Sequence, residues 1–63
     1  MRVVAKVTHT FNDFGDGGIT YKKGRIYKAE QFADCGFSVH HPDGGELAFR
    51  SDFYDYFRII NQN

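Results

Sequence analysis

The sequence predicts a small all-β domain in which short strands are arranged around one helical or 3₁₀ turn near residues 51–57. Three observations lead to this class. Residues 36–49, GFSVHHPDGGELAF, read as a hairpin whose apolar Phe37, Val39, Leu47 and Phe49 alternate with polar or small residues around a Pro42-Asp43-Gly44-Gly45 turn. Residues 2–11 alternate in the same way, and only one short stretch, 51–57, carries helical spacing.

Taken in order, residues 2–11 place Val3, Ala5, Val7, His9 and Phe11 on one face of a β-branched strand. His9 is then expected to be partly buried and hydrogen-bonded. Residues 12–18, NDFGDGG, form a loop rich in turn-favouring residues. A calcium reading of this loop fails: with Asn12 at position one, Phe14 takes the place of the third-position ligand and Lys23 stands where a bidentate Glu is required. No strand-to-helix transition with a Lys-Ser/Thr pair follows, so it is not a phosphate cradle either.

Residues 19–32 read as two extended pieces around Gly24. Helix formers at 28–35, followed by Gly36 as a helix C′ candidate, compete with a strand over 25–32. The strand is preferred, because a helix of about two turns without a packed face is unstable. Within the 36–49 turn, Pro42 pre-sets φ, Asp43 bonds its own backbone, and Gly44 and Gly45 accept positive φ. Ser51 is the expected N-cap of the helical turn and Asp52 suits its first turn. Phe53, Tyr56 and Phe57 recur at helical spacing. A last strand at 58–60 and a frayed tail complete the chain.

Sixty-three residues make one domain, near the size at which a core alone must hold the fold. Seven Phe and four Tyr supply that core. Eight basic and eight acidic residues give a formal net charge of zero, so no global field draws nucleic acid or an anionic membrane. Cys35 is the single cysteine, which suits a reducing compartment, and the N-terminal segment reads neither as a signal peptide nor as a membrane span. A cytoplasmic location is expected. The start at Met1 without linker or tag suggests a complete small open reading frame.

The succession strand, long Gly/Asp loop, strand, hairpin, helical turn, strand resembles a five-stranded SH3-like small barrel over residues 1–63. In that family the long loop ends in a phrase of the F-x-x-G-D type, a place occupied by Tyr21-Lys22-Lys23-Gly24-Arg25. Phe37 would open the third strand, Asp43-Gly44-Gly45 would make the tight turn, and 51–54 the 3₁₀ turn. Peptide-binding members have a tryptophan opening the third strand and a Pro in the 3₁₀ turn. This chain has no Trp and no Pro there, which weighs against proline-rich ligands, although Asp13 and Asp16 match the acidic loop residues. The chain also resembles small accessory proteins encoded by bacteriophages, and that resemblance implies binding to a host protein.

Chemistry is thinly represented. Adjacent His40 and His41 point to opposite faces of a strand, Cys35 precedes it, and no metal-ligand spacing is present, so no metal or other cofactor is expected. Cys35 with a histidine is the one conceivable nucleophilic pair, in a chain with little room for a substrate cavity, and no enzymatic activity is expected.

Two binding surfaces remain. Phe53-Tyr54-Asp55-Tyr56-Phe57 cannot turn four aromatics into one core from a single turn. Phe53 and Phe57 are therefore core, and Tyr54, Asp55 and Tyr56, with Phe14 and Asp16 of the loop, are candidate contacts for another protein. The alternative is single-stranded nucleic acid: Lys22, Lys23, Arg25 and Lys28 would meet phosphates, and Tyr21 and Tyr27 would stack on bases. Solvated charges that keep an edge strand from aggregating explain the same basic cluster more simply.

Overall fold

The computed structural model describes residues 1–12 and 18–61. The described chain is mostly β, with β1 (Arg2–Ala5), β2 (His9–Phe11), β3 (Ile19–Tyr21), β4 (Ile26–Ala33), β5 (Gly36–His40), β6 (Glu46–Phe49), the helical turn α1 (Phe53–Tyr56) and β7 (Phe57–Asn61). Five strands form an antiparallel sheet in the order β6-β5-β4-β1-β7, and β2 pairs with β3 in a separate two-stranded ladder. No ladder among the described residues joins β6 to β7, so the five strands are an open sheet and not a hydrogen-bonded closed barrel.

The hairpin matches its sequence signature. Phe37 faces Phe49 and Val39 faces Leu47, all four buried, while Gly44 and Gly45 take φ of 95° and 90°. His41 N–H donates to Gly45 O at 3.0 Å, and Gly44 N–H donates to His41 O at 3.0 Å, closing the turn.

Residues 26–33 are strand, not helix. Tyr27 and Ala29 are buried while Ile26, Lys28 and Glu30 are exposed, the alternation that a sheet buried on one side requires. A register shift between Gln31 and Ala33 leaves Phe32 at a bulge, 49% exposed. A Cβ on Gly36 would lie 2.6 Å from the Phe32 ring. Gly36 therefore serves a close approach between ring and backbone, and not a helix C-terminus.

The N-terminal strand is interrupted where alternation had extended it. Lys6 N–H donates to Tyr56 O at 2.7 Å, Ala5 N–H to Arg25 O at 3.0 Å, and Gly24 N–H to Ala5 O at 2.9 Å. These bonds end β1 at Ala5, and the chain bends through Lys6 and Val7 before β2 pairs with β3. Val7 is consequently exposed and not in the core. His9 is exposed too, with its ring against Phe11 and Tyr56 at 4.5 and 5.2 Å, instead of the expected partly buried, hydrogen-bonded state.

The helical turn starts one residue later than the Ser51 cap implied. Asp52 is the N-cap and makes no side-chain cap bond; its Oδ1 instead accepts from Arg50 N–H at 3.1 Å. Phe57 ends the turn and begins β7.

The core lies between the sheet and the β2-β3-α1 layer and holds Val3, Tyr21, Tyr27, Val39, Phe49, Phe53 and Phe57 among its members. Phe37 and Phe53 stack at 4.1 Å, and Tyr21 meets Phe57 edge-on at 5.2 Å. Rings at such spacings add about 0.5–1.5 kcal/mol per pair beyond the area they bury. Both buried tyrosines have a partner for their hydroxyls: Tyr21 donates to Val39 O at 2.7 Å, and Tyr27 accepts from Lys22 N–H at 2.8 Å. Burial, with Tyr27 beside it, pushes the Tyr21 phenol up to about 12.

Candidate protein-contact surface

Four consecutive residues of α1 divide between core and solvent. Phe53 is buried, Tyr54 is 56% exposed, Asp55 is exposed and Tyr56 is half-buried. A single turn presents residues in all directions, so this division follows directly from helix geometry.

Tyr54 is exposed but supported. Its ring meets Phe53 edge-on at 5.0 Å and Phe37 at 6.0 Å, so one edge rests on the core while the rest meets water. Tyr56 closes the other side, 5.1 Å from Phe11, 5.2 Å from His9 and 6.0 Å from Phe49. Lys6 ties the arrangement to β1: its Nζ donates to Tyr54 O at 2.7 Å and its backbone N–H to Tyr56 O at 2.7 Å. An ammonium at the carbonyl end of a helical turn is favourably placed. Asp55 has no hydrogen-bond or ion-pair partner for its carboxylate among the described residues. The surface thus combines supported aromatic rings with an unpaired acid, a pattern that accepts apolar and cationic groups.

Of the residues expected here, Tyr54, Asp55 and Tyr56 lie together; Phe14 and Asp16 lie outside the described residues, as does Asp13. His9, Phe11 and Lys6 belong to the same surface and were not singled out by sequence. Phe11 carried a partial signal as the last apolar residue of the alternating segment, but nothing local places it against Tyr56, forty-five positions away.

On folding, the basic cluster of residues 22–28 divides between an open cavity and two positions outside it. Lys22 and Arg25 line an open cavity of about 490 Å³ with Tyr27, His41, Pro42 and Asp43. Lys23 lies in the β3–β4 turn, its N–H donating to Thr8 Oγ1 at 2.9 Å, and Lys28 sits on the outer face of β4 opposite Arg2. Tyr21 and Tyr27 are buried, and Tyr27 reaches the wall of that cavity beside Lys22 and Arg25.

The neighbouring histidines diverge. His40 Nε2 lies 3.4 Å from Glu30 Oε1 and 3.7 Å from Glu46 Oε2 on the outer face. His41 Nε2 is 2.9 Å from Thr20 O, and its Nδ1 accepts from Asp43 N–H at 3.1 Å. Those bonds assign the proton to Nε2. Among the described residues no three His, Cys, Asp or Glu side chains converge to hold a metal ion. Among the described residues, no helix is long and apolar enough to cross a membrane. Compared with protein families, characterised proteins and solved structures, the chain matches none of them.

Proposed function

We propose that this chain is a non-enzymatic protein-binding module of SH3-like design that captures a partner segment bearing apolar and basic side chains. The observation that carries the reading is Tyr54: 56% exposed, its ring nonetheless fixed against Phe53 and Phe37, beside the unpaired carboxylate of Asp55. An immobilised aromatic loses little conformational entropy on binding, the property of a hot-spot residue. Phe11, His9 and Tyr56 extend the surface. The SH3-like part of the proposal draws on element order: a strand, a long hairpin formed by β2 and β3, a strand, the β5–β6 hairpin, a helical turn and a final strand. The resemblance to phage accessory proteins suggests a host protein as the partner and the cytoplasm as the place of encounter.

The test is affinity capture of the tagged chain from bacterial lysate, divided into nuclease-treated and untreated halves. One protein retained stoichiometrically in both halves, and lost from Tyr54→Ala combined with Asp55→Lys, is the expected result. Tyr54→Ala gives up ring contacts with Phe53 and Phe37 worth about 0.5–1.5 kcal/mol each, so lost capture counts as lost contact only where far-UV circular dichroism shows the double variant folded. Capture that survives the double variant overturns the assignment of this surface, and capture that disappears with nuclease replaces a protein partner with nucleic acid.

A further inference from the structure

The strand register assembles a second surface that no local stretch of sequence contains. On the outer face of β4-β1-β7, Arg2 stands across from Lys28 on one side and Asn61 on the other, while Val4 stands across from Ile26 and Arg58. Side chains directly opposite each other on neighbouring strands lie about 4.5–5.5 Å apart at Cβ. Three cations from three different strands therefore surround an aliphatic pair. Ile26 is 58% exposed, and Ile60, beside the β1–β7 register shift, is 46% exposed.

Among the described residues these cations have no ion-pair partner. All ion pairs among the described residues involve His40 or His41, and no Lys or Arg lies within 4.0 Å of a carboxylate. The acid nearest in register, Glu30 on β4, is turned to His40. A chain with zero formal net charge thus collects unpaired positive charge on one sheet face. Two depressions of about 290 Å³ each open beside Lys28, one bordered by Ile26 and His40, the other by Arg2, Met1 and Glu30, where two cations outnumber the single carboxylate.

We propose that this face docks an acidic protein surface, one in which carboxylates surround exposed aliphatic side chains. Charge complementarity selects the partner's sign, and guanidinium groups at Arg2 and Arg58 suit bidentate pairing with carboxylates. The aliphatic centre selects its class. Single-stranded nucleic acid gains much of its affinity from bases stacked on exposed aromatic rings, and Tyr27, the aromatic of this part of β4, is buried. An anionic membrane would favour aromatic residues at the interface, and the register positions of this face hold none. The surface is separate from the Tyr54 site, so either can fail without the other.

The experiment is an amide-resolved NMR titration of the whole chain with four probes: a nonapeptide alternating glutamate with leucine, the same peptide with lysine for glutamate, an oligothymidylate, and vesicles of phosphatidylserine with phosphatidylcholine. The expected result is saturable shifts at Arg2, Val4, Ile26, Lys28, Arg58 and Ile60 with the acidic peptide, weakening as salt rises. Arg58→Glu should reduce that affinity about tenfold or more. Ile26→Ser should reduce it severalfold with the thermal midpoint lowered by at most about 4 °C, which separates lost contact from lost fold. Equal binding of the lysine peptide, tighter binding of oligothymidylate or vesicles through the same amides, shifts centred on Tyr54 and Tyr56, or no response to any probe would each overturn the proposal.

Discussion

Tyr54 and Ile26 are exposed to almost the same degree, 56% and 58%, yet they rest on different foundations. The Tyr54 ring is set against Phe53 and Phe37, both in the core, and its carbonyl is held by Lys6 of the bend after β1. Ile26 stands on the outer face of the sheet, where its cross-strand neighbour is the half-buried Val4 and the core lies on the other side of the backbone. Equal exposure therefore conceals unequal coupling to stability. Around Tyr54, the proposed contact and the fold share side chains; around Ile26, they share only the backbone. The charges diverge in parallel, with Asp55 beside the first residue and Arg2, Lys28 and Arg58 around the second.

The sharpest way to break this contrast is to remove the support beneath Tyr54. Phe53 is fully buried, stacked on Phe37 at 4.1 Å and on Phe57 at 5.5 Å. Phe53→Ala should cost about 3–5 kcal/mol. Domains of this length have roughly 3–9 kcal/mol in total. Urea denaturation followed by far-UV circular dichroism should show a midpoint close to zero denaturant. A variant losing under about 1 kcal/mol would mean that the α1 surface is independent of the core, and the contrast with Ile26 would disappear.

Gly36→Ala tests an intermediate case. The added Cβ would approach the Phe32 ring to 2.6 Å, and that ring, half exposed, has the Arg50 guanidinium 5.3 Å from its centroid. Relief requires the ring to swing outward, away from both neighbours. A loss of about 1–2 kcal/mol is expected, less than for overpacking deep inside a core. Pairing the substitution with Phe32→Ala should restore most of the loss, and failure of that rescue would place the strain in the backbone of the β4–β5 turn.

How far sequence carried the fold depended on where the deciding interactions lay. The β5–β6 hairpin was legible because turn chemistry and alternation lie within residues 36–49. Phe53 and Phe57 were legible as core because one turn cannot bury every aromatic of residues 53–57. The break after Ala5 was not legible, since Lys6 N–H reaches Tyr56 O, fifty residues away, and local alternation runs on unchanged through Val7 and His9. Tyr21 and Tyr27 resemble surface residues amid lysines until Val39 O and Lys22 N–H supply partners for their hydroxyls. The basic face required the register: Arg2, Lys28 and Arg58 are dispersed along the chain, whereas of the contiguous 22–28 cluster only Lys22, Arg25 and Tyr27 meet at one cavity.

Tyr21 links the β2-β3 hairpin to the sheet, and so positions Phe11 for the Tyr54 side of the molecule. Because burial raises its phenol from 10.0 to about 12, the native state holds the proton more tightly than the unfolded chain. The stabilisation it contributes is present below pH 10 and is lost as pH rises through about 12. Tyr21→Phe leaves Val39 O without its donor and should cost about 1 kcal/mol near neutrality. It should also flatten the alkaline decline in unfolding midpoint between pH 10 and 12, an effect that the exposed control Tyr54→Phe should not reproduce. An unaltered alkaline profile in Tyr21→Phe would move that decline to other groups.

The smallest expected effect is the most discriminating for the sheet face. In Ile26→Ser, the aliphatic side chain already meets water over more than half its surface, and its replacement leaves no cavity behind. The backbone bonds of β4 to β1 and β5 are untouched, because they involve no side-chain atom. What remains is the contact with Val4 and the lower strand preference of serine, and together these should amount to at most about 0.5 kcal/mol. A measured loss above about 1.5 kcal/mol would mean that Ile26 and Val4 form a second small cluster on which the sheet depends. Exposure would then be explained by stability, as it is under Tyr54. A near-zero loss leaves three aliphatic side chains, Val4, Ile26 and Ile60, among unpaired cations with no folding role, and the reason for their presence must then lie outside the chain.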